Sequence, residues 1–438
     1  MATQLLKASL LWCGQGMAHL LQVFDATSLD TPSHIALIDF GSAASERDSS
    51  PAVQAVLAAL KAQESPTLDC VIISHQDDDH WAMLEKLEEK AQREGVTFAV
   101  CDLFYGGELW GPANLGKVRA FANRHGAAAY AITGTDYEPA AKFPPPKPLK
   151  LGDVALHILM ANSPVDSKDK AQRKNGTSAV VVVDYLDQRM IFPGDATWET
   201  LAAINRVLDP ALWPGQPHQS PVRPVKVMSV PHHGSELTAG MKRPSPDDDG
   251  ETIDLTELTQ FEQLTQPEVI VASAGFKKFL HPRWRVLDIL GRDTEAADEH
   301  VVVGADSEVF SERIYHREIR TNYIHLWEMP NGAHYRYYLG PTAHDFVSQP
   351  FLFGVTRLPV DRPPAESPQV YDPRKRPRKL PPEIVSDPVV TSSSVFPASL
   401  GPFAAPRPAS REGPLPPPSR VRTIVRAPVP AARPAPTS

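Results

Sequence analysis

The chain has 438 residues, 42% of them hydrophobic, and a formal net charge of −8; it is long enough for one large domain or two ordinary ones, and too acidic to be a general polyanion surface without a local basic patch or arm. Its cysteines, Cys13, Cys70 and Cys101, exclude a disulfide framework and read as small buried hydrophobes in a reducing compartment, so a cytoplasmic location is expected. No run approaches 18 apolar residues, and the apolar stretch before Gly14 is too short for a signal sequence, so no membrane contact is expected.

Leu5 to Trp12 reads as a strand, Gly14-Gln15-Gly16 as a turn, and Ala18–Phe24 and His34–Ile38 as strands ending in Asp39-Phe40-Gly41-Ser42. Pro51 to Gln63 has helical apolar spacing with proline in its first turn. Asp69–Ile73 then reads as a buried strand and Trp81–Glu94 as an amphipathic helix, which places Ser74-His75-Gln76-Asp77-Asp78-Asp79-His80 on the loop between them. His75, Asp77, Asp79 and His80 offer nitrogen and carboxylate donors at i, i+2, i+4 and i+5, the donor types and closeness that a divalent metal pair requires. Thr97–Phe104 reads as a strand and Lys117–Arg124 as a helix, with Tyr105-Gly106-Gly107 and Trp110-Gly111 as turns between them.

Phe143-Pro144-Pro145-Pro146 reads as a rigid connection between two half-patterns of similar type. Beyond it, Ala155–Met160, Ala179–Val183 and Arg189–Phe192 read as strands, the last stopping at Pro193-Gly194-Asp195. Lys174 to Ser178 reads either as an Asn-Gly turn with positive φ or as the source of a functional Asn175. A helix is expected over Trp198–Val207, and a strand over Pro224–Val230 that ends in Pro231-His232-His233-Gly234-Ser235. Adjacent histidines at a strand end beside glycine suit a metal or phosphate site, because glycine lets backbone approach a ligand closely.

Arg243–Thr252 reads as a solvated loop, and Glu268–Ser273 as a strand leading through Ala274-Gly275 to His281-Pro282 and a helix over Arg283–Leu290. Arg320–Trp327 and Ala333–Tyr338 read as a closing hairpin across Pro330-Asn331-Gly332. Regular structure is expected to fade from about Thr342, giving a body over 1–341 and a tail over 342–438. The stretch 359–438 holds 21 of the chain's 45 prolines, and from Asp361 onward the net charge is about +6. Such a tail cannot bury enough apolar surface to offset its ordering entropy. It reads as a disordered linker, or as a polyproline ligand for a protein partner or a phosphate-contacting arm through Arg374-Lys375-Arg376 and Arg378-Lys379.

His75-x-Asp77-x-Asp79-His80 resembles the metal motif of the metallo-β-lactamase superfamily. Aspartate in its second place resembles the soluble hydrolase domain of the competence protein ComEC and its stand-alone relatives. The Gly14-Gln15-Gly16 turn, Ile38-Asp39-x-Gly41, Asn175-x-x-Ser178, Gly194-Asp195, His232-His233-Gly234-Ser235 and His281-Pro282 occur in the order of that pattern, over residues 5 to 291. Two positions depart: Met17 stands where an acidic residue commonly follows the turn, and the His ligand that many superfamily members carry before the second strand pair is absent, as it is in ComEC-like proteins. The resemblance implies an α+β, αβ/βα four-layer sandwich and two divalent ions, Zn²⁺ or Mn²⁺. His75, Asp77 and one histidine of the 232–233 pair would hold the first ion; Asp79, His80 and a bridging Asp195 would hold the second. His233 is the expected ligand and His232 a catalytic group beside Asp79 and His281, although sequence does not separate the two neighbours. Asn175, Ser178 and Ser235 are candidate substrate contacts, and Asp39 either orients the metal loop or is a strand-end turn residue.

The implied activity is hydrolysis of a phosphodiester, with nucleic acid or a nucleotide as substrate. The alternatives are a carbonyl-directed hydrolase of the thioester or lactone type, and a degenerate sensor or scaffold that works through its tail. The intact ligand set argues against the last.

Overall fold

The computed structural model describes residues 4–42, 51–135, 149–163, 165, 167, 169–212, 225–244, 251–274, 281–291, 317–321, 323–328, 334–338 and 348–354. The first half runs β1 (Gln4–Leu10), β2 (Ala18–Asp25), β3 (Ser28–Phe40), α1 (Pro51–Lys61), β4 (Thr67–Ile73), α2 (Met83–Arg93), β5 (Ala99–Tyr105), α3 (Pro112–Arg124) and β6 (Ala128–Ala131). The second half runs β7 (Leu149–Leu151), β8 (Val154–Met160), α4 (Lys170–Gly176), β9 (Val180–Tyr185), β10 (Gln188–Phe192), α5 (Trp198–Leu208), β11 (Val225–Ser229), α6 (Glu236–Ala239), β12 (Met241–Pro244), β13 (Glu251–Asp254), α7 (Thr256–Thr265), β14 (Val269–Ala272), α8 (Trp284–Gly291) and β15 (Glu318–Thr321). It is followed by β16 (Tyr323–Glu328), β17 (His334–Tyr338) and β18 (Phe351–Phe353).

The strands form two seven-stranded sheets, ordered β18-β1-β2-β3-β4-β5-β6 and β15-β14-β11-β10-β9-β8-β7. Each half follows one plan. Antiparallel strands lead in, β1 to β3 and β7 to β10, and then parallel strands carry the sheet on, β3 to β6 and β10 to β11, β14 and β15.

The layering follows from strands buried on both faces, which read as unbroken apolar runs whose side chains alternate between two layers. On β4, Cys70 and Ile72 face the other sheet, while Val71 and Ile73 face the helices. On β9, Val181 and Val183 join the layer between the sheets, and Val180 and Val182 pack under the second set of helices. The helices α1, α2 and α3 cover the first sheet through Val56, Leu60, Leu84, Leu87 and Phe121. The helices α5, α7 and α8 cover the second through Leu201, Ile204, Phe261 and Leu287. The result is the four-layer sandwich of helices, sheet, sheet and helices.

Several local expectations differ from what the chain does. Asn175 does not sit in an Asn-Gly turn; it closes α4, whose Asp169 cap accepts a hydrogen bond from the Ala171 N–H. Residues at both ends of the supposed loop over 243–252 pair as the β12–β13 ribbon. The strands β6 and β7 and helix α7 carry no strong periodic signal and take their form from the elements they pack against. Beyond Thr342, Phe351–Phe353 adds an edge strand to β1. Cys101 is exposed rather than buried, whereas Cys13 and Cys70 are buried. The β16–β17 hairpin is present. Its turn, the Phe143–Pro146 connection, and the tail from Val355 onward lie outside the described residues.

Candidate metal centre

Six of the expected ligands come from the carboxyl ends of parallel strands and the turns that follow them. His75, Asp77, Asp79 and His80 follow β4, Asp195 follows β10, and His233 follows β11. Open α/β sheets leave their binding crevices at such ends. Here the two sheets present them to one another.

The metal loop is held by backbone as well as side chains. The Met17 N–H donates to the Asp79 carbonyl at 3.0 Å, and the Gly41 N–H donates to the Met17 carbonyl at 2.9 Å. The GQG turn thus braces the loop through Met17's main chain, a role that needs no acidic side chain. A Cβ on Gly41 would stand 2.2 Å from the Asp79 carbonyl carbon, so only glycine admits this approach.

Asp39 sits at φ 52° at the end of β3. Its carboxylate accepts the Ser74 N–H at 2.6 Å and stands 2.9 Å from His80 Nδ1. Asp39 holds the proton on Nδ1, which leaves Nε2, 3.0 Å from Asp195 Oδ1, as the nitrogen that would ligate an ion once its own proton is displaced. The other oxygen of Asp195 stands 3.5 Å from His75 Nε2 and 3.2 Å from His232 Nε2. His233 is completely buried; its Nδ1 faces the Ser273 carbonyl at 2.9 Å, and its Nε2 lies 3.5 Å from Asp79 Oδ2 and 3.7 Å from Asp195 Oδ1. The backbone reaches this arrangement through left-handed conformations at three successive residues, His232 (φ 44°), His233 (φ 54°) and Gly234 (φ 85°). Non-glycine residues pay about 1–2 kcal/mol each for that region, and such strain collects at functional sites.

The donor set fits divalent ions. Two ligands each about 2.1 Å from one ion stand about 3.0–3.4 Å apart, close to the N···O separations here. The ligand atoms of His75, His80 and Asp195 lie within 4.8 Å of one another, as do those of Asp79, His80 and His233. His75 Nε2, His80 Nε2, His233 Nε2 and Asp195 Oδ1 are all buried without a hydrogen-bond partner, an arrangement that costs stability unless something else satisfies it.

Electrostatics separates the imidazoles. Burial, reinforced by neighbouring His80, lowers His75 to about 4, so it is neutral and ready to ligate at pH 7. Burial also opposes charge on His80, but the Asp195 and Asp39 carboxylates outweigh it and hold His80 well above its ordinary value. Burial works to raise the Asp195 carboxyl, and the surrounding His232, His80 and His75 override it, keeping Asp195 ionised well below the usual range.

Asp77 stands apart. Its Oδ2 is 3.9 Å from His75 Nε2, while Lys174 Nζ holds Oδ1 at 2.6 Å. Among the other expected residues, Asn175 Nδ2 lies 3.5 Å from His232 Nδ1, and the ring centroids of His232 and His281 are 5.9 Å apart. Burial, with His232 and His233 nearby, lowers His281 well below its ordinary value. Ser178 is fully buried behind α4. Ser235 Oγ stands 3.1 Å from Thr238 Oγ1 at the start of α6, a helix-end contact and not one to the ligand cluster. Trp81 and Tyr105 belong to the core under the first helices.

Sequence reasoning missed Lys174, Ser74 and His19. Ser74 precedes the motif directly, and its Oγ lies 3.0 Å from His80 Nδ1, so its position in the chain was a usable signal. His19 on β2 is buried, faces the Ile38 carbonyl through Nδ1 at 2.8 Å, and is lowered to about 4 by burial; nothing in its local sequence marks it.

No family model matches the chain, and no curated protein matches it. Among solved structures, it is similar to the metallo-β-lactamase fold protein YhfI from Bacillus subtilis, at 13% identity over 62% of this chain and 87% of that one, with a TM-score of 0.34. A diphosphatase from the PhnP family is 10% identical over 62% and 87% of the two chains, with a TM-score of 0.32. Unliganded yeast PDE1 is 9% identical over 66% and 93%, with a TM-score of 0.36. Likeness at this level carries no argument about activity.

Proposed function

We infer that the protein is a metal-dependent hydrolase of phosphodiesters. The observation that carries this reading is Asp195, whose Oδ1 faces His80 and His233 and whose Oδ2 faces His75 and His232, between two donor groups that meet at His80. Asp79, His80 and His233, with Asp195 Oδ1, form the fuller set. His75 and Asp195 Oδ2 form the other, with Asp77 at its edge. Divalent ions held there would supply a water activated at neutral pH and positive charge for anionic oxygens. Three carboxylates make the set hard, which suits Zn²⁺ or Mn²⁺ and an oxygen-rich substrate.

The protein's own groups do the rest. Asp39 and the Ser273 carbonyl fix the His80 and His233 rings, each through Nδ1. Asn175 Nδ2 approaches Nδ1 of His232 and favours the tautomer with its proton on Nε2, a donor aimed into the centre. His281, kept neutral by burial, stands alongside for an oxygen that gains charge. The choice of phosphodiester over carbonyl substrate rests on the ComEC-like motif order.

The test is hydrolysis of end-labelled single-stranded DNA and of bis(p-nitrophenyl) phosphate with Mn²⁺ or Zn²⁺, beside an Asp79→Asn control. Metal-dependent cleavage that the control loses is the expected result. Metal-loaded protein that hydrolyses thioesters or lactones and leaves both phosphodiesters intact would sink this reading in favour of the carbonyl-directed one.

A further inference from the structure

The body of the chain is acidic: with about +6 in residues 361–438, residues 1–360 carry about −14. Helix α4 runs against that balance. It reads Lys170-Ala171-Gln172-Arg173-Lys174-Asn175-Gly176, three cations and no acid. Lys170 and Lys174 are four residues apart and Lys170 and Arg173 three apart, so the three cations share one side of the helix. Lys170 and Arg173 are exposed and carry no ion pair among the described residues. Among the described residues, Asp169 caps the helix and Glu199 accepts from Gln172 and Thr197.

Lys174 joins this row to the centre by holding Asp77 Oδ1 at 2.6 Å, both side chains remaining about a third exposed. Asn175, at the same helix end, is 6% exposed and turns inward, its Nδ2 3.5 Å from His232 Nδ1, so the cation row and the centre meet at the end of α4.

We propose that Lys170, Arg173 and Lys174 on α4 form a phosphate track that receives the backbone of a nucleic acid beside the scissile phosphate. The inference rests on the phosphodiesterase reading. It adds the surface that lets an acidic protein hold a polyanion, and it makes Lys174 the residue that links backbone binding to the metal cluster.

The test measures binding separately from cleavage. A fluorescently labelled single-stranded oligonucleotide is titrated by anisotropy between 50 and 200 mM salt in two full-length proteins. Both carry Asp79→Asn to stop turnover, and one also carries Lys170→Gln and Arg173→Gln, two good helix formers. Each lost phosphate contact flattens the slope of log K against log salt by about 0.7 on a single strand. The intact α4 should therefore lose about sevenfold more affinity over that salt range than the neutralised one. Circular dichroism and metal content serve as folding controls. Equal affinity and equal slope in the two proteins would overturn the proposal and leave the tail as the polyanion contact. Failure of the protein with intact α4 to bind the oligonucleotide would overturn it too, while hydrolysis of bis(p-nitrophenyl) phosphate by the unmodified protein decides the phosphodiesterase reading independently.

Discussion

Asp39→Asn isolates what the buried carboxylate does for the metal loop. Asparagine has the same shape and tolerates φ near 52°, so the backbone is not what changes. The carboxylate serves two donors, the Ser74 N–H at 2.6 Å and His80 Nδ1 at 2.9 Å. An amide offers one oxygen, so whichever way it turns, one of these donors faces an NH₂ group. A buried donor left unsatisfied costs about 1–3 kcal/mol. Loss of the group that orients a metal-bound histidine typically costs 10–100-fold in metal affinity, about 1.4–2.8 kcal/mol. The assay is competition for Zn²⁺ against a chromophoric chelator, with thermal unfolding alongside. The expected result is a 10–100-fold weaker ion at the Asp79, His80 and His233 set and a lowered Tm. Zn²⁺ affinity within twofold of the parent, with only the Tm reduced, would refute the orienting role and leave Asp39 a strand-end turn residue.

Asp195→Asn removes the charge that both donor sets share, so both ions should be lost; metal analysis after gel filtration checks this, and two retained ions per chain would contradict a bridging Asp195. Lys174→Met frees Asp77 for the His75 side; because a pair about a third exposed is worth about 0.2–1 kcal/mol, affinity for an ion on the His75 side should rise by up to about fivefold, read as slower release to chelator, and unchanged release would show that Lys174 does not restrain Asp77. His80, raised well above its ordinary value, carries a proton at pH 7 in the metal-free protein; an incoming ion displaces it, so calorimetry in buffers of different ionisation enthalpy should report proton release, and none would contradict the assignment of His80 as a ligand. By the same linkage, the stability that His80 lends the metal-free protein is fully present below its ordinary value and is lost as pH rises through its elevated one. The contribution of Asp195 is present above the ordinary carboxylate range and lost as pH falls through its depressed value. The Tm of metal-free protein should therefore fall on both the acid and alkaline sides, and a flat acid limb would argue against an ionised, paired Asp195. Gly41→Ala drives a methyl to 2.2 Å from the Asp79 carbonyl carbon; overpacking of this kind costs about 1–3 kcal/mol, and an unchanged Tm would show that the loop yields freely.

Much of the centre was legible from local chemistry. A ligand cluster on one short loop, a Gly-Asp at a strand end and a His-His-Gly turn are each written within a few residues, and their order along the chain reflects the order of strand ends in the sheets. Apolar runs such as Val180–Val183 declared strands buried on both faces, because the alternation of side chains is a property of the strand itself. What the chain alone did not separate were relations between distant segments. His232 and His233 are equivalent as sequence. Only the successive left-handed turns of the backbone send one ring to Asp79 and Ser273 and the other toward Asn175 and His281. Asn175-Gly176 carries the signature of a turn, yet the Asp169 cap and packing against α5 make it the end of a helix. Lys174 and Asp77 are 97 residues apart, so neither announces the other, and a lysine that reads as ordinary surface charge becomes the neighbour of a candidate metal ligand. The same holds for Asp195: its aspartate and its strand-end position are local facts, but its place between two donor sets exists only once the two sheets pack face to face and bring the ends of β4, β10 and β11 together.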